Sequence, residues 1–96
     1  MKNDVRPIYF ELQGYLSQAP QREMGAIFDE RVWNQHNETI KELEAVTGKT
    51  YDKYKITPER WGDKLRVTVQ VYRTILGGLI SRLHGEYFPD ELSPIK

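Results

Sequence analysis

"TPERWGDKLRVTVQVYRTILGGLISRLHG", Thr57 to Gly85, is the stretch whose reading decides the fold. Thr57 suits a helix N-cap, Pro58 a first helical residue, and Glu59 the positive end of the helix dipole. At ~100° per residue, Trp61, Leu65, Val69, Tyr72, Ile75, Leu76, Leu79, Ile80 and Leu83 gather on one apolar face about 140° wide. On that periodicity the segment is one long helix over about 58–85. A helix of ~28 residues would run about 40 Å, longer than a compact monomer of this size is wide.

Two features of this helix point outside the chain. Val67 and Val71 fall off the main apolar face, on a small second patch near Gly78. Gly77 and Gly78 each cost ~1 kcal/mol against alanine in a helix, a loss that close approach of another backbone would offset. Val67, Val71, Gly77 and Gly78 are therefore the expected seam of a homodimer or higher oligomer.

The rest of the chain reads as helical in the same way. Over about 26–47, Phe28, Val32, His36, Thr39, Leu43 and Val46 share one face, with Trp33 and Ile40 along its edge. Gly48 follows where a left-handed C-cap belongs. The first segment is ambiguous: Ile8, Phe10 and Leu12 alternate like a strand, while Ile8, Leu12, Tyr15 and Leu16 repeat like a helix. With no second strand evident as a partner, it reads as a short helix over about 7–18, Pro7 fitting the first turn. "SQAPQREMG" is a connector, and residues 86–96 form an extended tail in which Pro89 and Pro94 forbid helix. The expected fold is all-α, one domain over 1–96: an antiparallel hairpin of two long helices with a short N-terminal helix packed across it.

Composition narrows the function. Fourteen basic and fourteen acidic side chains cancel, so no long-range field draws the chain onto nucleic acid or an anionic membrane. With no cysteine, and with His36 and His84 far apart, thiolate sites are excluded and neither a metal site nor a cofactor is expected. "MKNDVRPIYF" lacks the apolar core of a signal peptide, and no run approaches the ~18 apolar residues of a membrane span. A cytoplasmic protein is the expectation, which makes the sequon at Asn37 incidental.

Three patterns suggest chemistry. In "RVWNQH", Arg31 and His36 match an Arg-x4-His spacing that resembles the signature of HEPN ribonucleases. The resemblance implies a nuclease using both residues across a dimer. The helical register says otherwise: five residues rotate by ~500°, leaving the two side chains about 140° apart. His36 falls among apolar neighbours and Arg31 toward solvent, so a buried, hydrogen-bonded histidine is expected and the chain is not assigned to that family. "TGKT", Thr47 to Thr50, resembles the end of a phosphate-binding loop, but Leu43 stands where a glycine is needed and a helix precedes it. Arg66, Arg73 and His84 project within ~20° of one another on the long third helix, a stripe able to hold phosphates or carboxylates.

The sequence thus leads to a small non-catalytic interaction or regulatory module. Its expected partners are itself and another protein. A nucleic-acid or nucleotide binder using Arg66, Arg73 and His84 is the alternative, and the Arg31/His36 nuclease a further one.

Overall fold

At Gly62 the backbone turns left-handed, with φ of 67°, and a right-handed helix cannot run through it. Trp61-Gly62-Asp63-Lys64 instead closes a two-residue hairpin. Positive φ at the first central residue and not at the second is the pattern of a type II′ turn, which matches the twist of the flanking strands. The expected third helix therefore divides. The structure, a computed structural model, describes residues 2–22 and 24–92. Its elements are α1 (Lys2–Gln18), β1 (Ala26–Ile27), α2 (Glu30–Thr47), a short 3-10 turn (Asp52–Tyr54), β2 (Glu59–Trp61), β3 (Lys64–Thr68) and α3 (Val69–Tyr87).

The expectation of an all-α fold is overturned. The protein is a mixed α/β structure of three helices and a small antiparallel sheet in the order β1-β3-β2. In the sheet, Glu59, Arg60 and Trp61 pair with Arg66, Leu65 and Lys64, while Ala26 and Ile27 pair with Thr68 and Val67. Leu65, Val67 and Val69 alternate with polar residues, a period of two that outcompetes the helical spacing once a partner strand is available. The true N-cap is Thr68, whose Oγ1 accepts from the Val71 amide at 3.3 Å. The junction is tied further by the Val69 amide, which donates to the Gly25 carbonyl at 3.0 Å.

The other boundaries shift for local reasons. α1 begins at Lys2, so Pro7 lies inside the helix; Val5, fully buried, extends the Ile8, Tyr9 and Leu12 face by one turn. α2 begins at Glu30, capped by the Asp29 carboxylate accepting from the Arg31 amide at 3.0 Å. It ends at Gly48, whose φ of 69° lets its amide donate back to Glu44. The chain after α3 is not simply extended. Phe88 is fully buried against the Tyr9 ring, 4.7 Å between centroids, and Glu91 pairs with Arg6 at 2.8 Å. Residues 93–96 of the expected tail lie outside the described residues.

Leu12 of α1, Ile40 and Leu43 of α2, and Leu76, Leu79, Ile80 and Leu83 of α3 are fully buried at the centre of the core. The sheet contributes Ile27 and Val67 to it and leaves its other face, with Glu59, Trp61 and Lys64, exposed. Among the described residues no helix is long and apolar enough to cross a membrane.

Two glycines should respond oppositely to alanine. At Gly62 nothing lies within 4 Å of an added Cβ, so Gly62→Ala meets only the strain of a left-handed φ and should destabilise by roughly 1–2 kcal/mol. At Gly78 an added Cβ would meet Tyr54 Cε1 at 3.5 Å, an ordinary contact. Gly78→Ala should stabilise by up to about 1 kcal/mol through helix propensity. Urea midpoints of the two variants measure both signs.

Candidate functional site

Strand alternation places Glu59, Trp61, Lys64 and Arg66 on one side of the hairpin, and Arg60 and Leu65 on the other. Glu59 and Arg66 face each other across the strands, and Arg66 Nε donates to Glu59 Oε1 at 2.7 Å. The same guanidinium lies over the Trp61 ring at 4.7 Å. Trp61 meets Phe28, which follows β1, with ring centroids 6.2 Å apart, and Lys64 Nζ sits 5.9 Å from the Phe28 centroid. The result is a row of ion pair, cation–π contact, aromatic pair and second cation–π contact across the outer face of the sheet.

This row is not a piece of core. Trp61 is 56% exposed and Phe28 46%, with Leu65 exposed nearby, whereas Trp33 beneath is buried. Phe28 and Lys64 form the wall between two shallow depressions. One, of about 270 Å³, is completed by Trp61, Gly62 and Asp63; the other, of about 240 Å³, by Glu30, Trp33 and Leu65. Acids Glu30, Glu59 and Asp63 stand beside bases Lys64 and Arg66 around them. Both aromatic side chains lie on the apolar faces of the helical readings and were expected to be buried. The signal that they are not was Gly62-Asp63, a glycine-first hairpin turn between two alternating runs.

The residues singled out from the sequence do not all converge. Arg66 is on β3, so the proposed stripe on the third helix loses its first member. Arg73 and His84 remain on α3, but each is engaged with backbone: Arg73 Nη1 donates to the Pro20 carbonyl at 3.3 Å, and His84 Nε2 lies 2.6 Å from the Glu91 carbonyl. Of the expected oligomer seam, Val67 and Val71 border one shallow depression together with Arg66, while Gly77 and Gly78 lie further along α3. Val67 is buried within its own chain on β3, opposite Ile27. Val71 is exposed on α3, and Gly78 lies against Tyr54 of the same chain. Gly77 sits half-buried in α3, apart from Val67. In "TGKT", Thr47 Oγ1 donates to the Leu43 carbonyl and Lys49 pairs with Glu86 at 2.8 Å, which makes the run a helix end with a surface ion pair. Among the described residues, no three His, Asp or Glu side chains come together to hold a metal ion.

Arg31 and His36 are also separate. Arg31 is exposed and holds Asp29 at 2.9 Å. His36 is fully buried, its ring edge-on to Tyr72 and its Nε2 2.8 Å from the Tyr54 carbonyl. That carbonyl fixes the proton on Nε2, so Nδ1 is the bare nitrogen, and it has no partner among the described residues. Protonating it would place an unpaired charge in the core. Burial therefore pushes the His36 pKa below its ordinary value, the Tyr54 hydrogen bond opposing only in part.

Stability should follow from this. With the folded pKa below the unfolded one, the unfolded chain binds the extra proton first. His36 thus contributes stability that is complete above its unfolded pKa of about 6.5 and lost as pH falls toward the folded value. Melting temperatures from pH 7.5 to 5 should drop in the native protein, and the part of the drop due to His36 should vanish in His36→Gln. At pH 7.5, His36→Ala should cost about 1–3 kcal/mol and Arg31→Ala no more than about 0.5.

No protein-family model, no curated protein and no solved structure matches this chain.

Proposed function

We propose that the protein is a non-catalytic interaction module of the cell interior that docks a second copy of itself through the outer face of the hairpin, with Trp61 and Phe28 as anchors. The observation that carries this reading is the pairing of those two large aromatic rings on a solvent-facing sheet. Exposed aromatic residues beside shallow pockets are the usual anchors of protein interfaces, where each ring fills a depression on the partner. The two depressions flanking Phe28 suit reciprocal insertion of side chains from a two-fold-related copy. Charges of both signs around the face favour a partner that also carries both signs, and this chain, with equal numbers of acidic and basic side chains, does.

A nucleic-acid partner fits less well. Stacked bases would suit Trp61 and Phe28, but affinity for a polyanion depends on cations available to phosphates. Arg66 is held by Glu59, and Glu30 and Asp63 border the same depressions.

Sedimentation equilibrium across the micromolar range tests the reading. The native chain should dimerise, and Trp61→Ala should weaken the dimer by on the order of 2 kcal/mol, roughly thirtyfold, with its helix content unchanged. A native chain that stays monomeric at several hundred micromolar, or a dimer indifferent to Trp61→Ala, overturns it. Tight, salt-sensitive binding of single-stranded RNA by a monomer would put the nucleic-acid reading in its place.

A further inference from the structure

A second concave site lies where the end of α1 meets β1 and the first turns of α2 and α3. It is a cleft of about 210 Å³ walled by Ala19, Pro20, Ile27 and Val32, with Tyr15 and Tyr72 reaching it from α1 and α3. A dry cavity of about 150 Å³ already holds benzene, so this volume suits a ring with one substituent.

The polar groups of the cleft are unequal. The Tyr15 hydroxyl is committed: it donates to Glu11 Oε1 at 2.5 Å and lies 3.0 Å from Thr39 Oγ1. Burial and the adjoining Glu11 carboxylate push its pKa up to about 12, so it stays a neutral phenol. Tyr72 is different. It is 5% exposed, deep among core residues, yet no group among the described residues hydrogen-bonds its hydroxyl. That hydroxyl is not sealed in the core: it keeps access to solvent at the wall of the cleft, as the polar end of an otherwise buried side chain. Its ring packs edge-on to His36, which fixes the position of the hydroxyl.

Charge restricts what can enter. The lining holds no ionisable side chain other than the two tyrosines, only the carboxamides of Gln18 and Gln35 beside apolar groups. A carboxylate entering the cleft would find no cation in the lining, the Arg73 guanidinium outside it being turned to the Pro20 carbonyl, and would approach the Glu11–Tyr15 pair. An ammonium would find no carboxylate in the lining, and that of Glu11, behind Tyr15, already accepts from the Tyr15 hydroxyl. Desolvating either ion without a partner is costly.

We propose that this cleft binds a small uncharged ring compound bearing one carbonyl group, its ring against Ile27 and Val32 and its carbonyl accepting a hydrogen bond from the Tyr72 hydroxyl. The site is distinct from the hairpin face: Trp61, Phe28 and Lys64 take no part in it.

Benzamide, benzoate and benzylamine share a ring and differ in charge, and titrating each into the full chain tests the assignment through the methyl resonances of Ala19, Ile27 and Val32. Benzamide should shift these signals saturably, with benzoate and benzylamine at least tenfold weaker. Tyr72→Phe, which removes only the unpartnered hydroxyl, should keep the native spectrum and weaken benzamide about tenfold, the worth of one buried hydrogen bond. Val32→Phe should block all three by filling the cleft, and Trp61→Ala should change none of the affinities whether or not it alters assembly. The proposal is overturned if benzamide gives no saturable shift at these methyls, if the three probes bind alike, or if Tyr72→Phe binds benzamide as the native chain does.

Discussion

Asn37 holds the chain together at its least regular point. Between the end of α2 and the start of β2 the backbone has only one short 3-10 turn, yet Tyr51 and Ile56 from this stretch are buried in the core. Buried peptide groups without a ladder need other partners. Asn37 supplies them as a neighbouring strand would: Nδ2 donates to the Ile56 carbonyl and Oδ1 accepts from the Ile56 amide, both at 2.8 Å. His36 serves the Tyr54 carbonyl, and the Glu44 carboxylate takes the Tyr51 amide at 2.8 Å while pairing with Lys55. Those contacts hold the Glu44 carboxyl below its ordinary pKa. Three side chains of one helix thus fix the path that delivers the chain to the hairpin. The orientation of the sheet, and with it the outer face and the cleft, depends on that fixing.

α2 was legible in the sequence because its apolar spacing had no rival, and α1, where Ile8, Phe10 and Leu12 also alternate like a strand, because no partner strand was evident for it; Gly48 marks the end of α2 in both sequence and structure. The segment after Thr57 was not, because two periods coexist in it. Trp61, Leu65 and Val69 are four apart and satisfy a helix; Leu65, Val67 and Val69 are two apart and satisfy a strand. Thr57-Pro58-Glu59 imitates a helix start, while the effective cap, Thr68, lies inside an apolar run where it is hard to notice. Only the pairing with Ala26 and Ile27, some forty residues away, decides the contest, and that is tertiary information. Val67, off the helical face, was the local trace of the strand.

The same misreading dispersed the candidate site. Placing Arg66 on a helix aligned it with Arg73 and His84; on β3 it belongs instead to Glu59 and Trp61. His36 was legible, since its burial follows from the register of α2 alone, which the structure keeps. Trp61 and Phe28 were not, because a helical wheel assigns aromatics to a core by angle and cannot see that a sheet has two faces.

β1 connects the cleft to the outer face of the sheet. Ile27 and Phe28 are consecutive, with Ile27 lining the cleft beside Tyr72 and Phe28 on the outer face beside Trp61. Only two register pairs hold this strand to β3, Ala26 with Thr68 and Ile27 with Val67. So short a strand has little ladder to absorb a displacement, and a shift of Ile27 is carried through one peptide unit to Phe28. The planar peptide leaves only the ψ of Ile27 and the φ of Phe28 to take up the motion between them. Immediately beyond, Asp29 is fixed as the α2 N-cap by three bonds from Arg31, so Phe28 is bounded on its far side as well. The cleft and the aromatic face therefore share a wall one strand thick, anchored at one end by β3 and at the other by the start of α2.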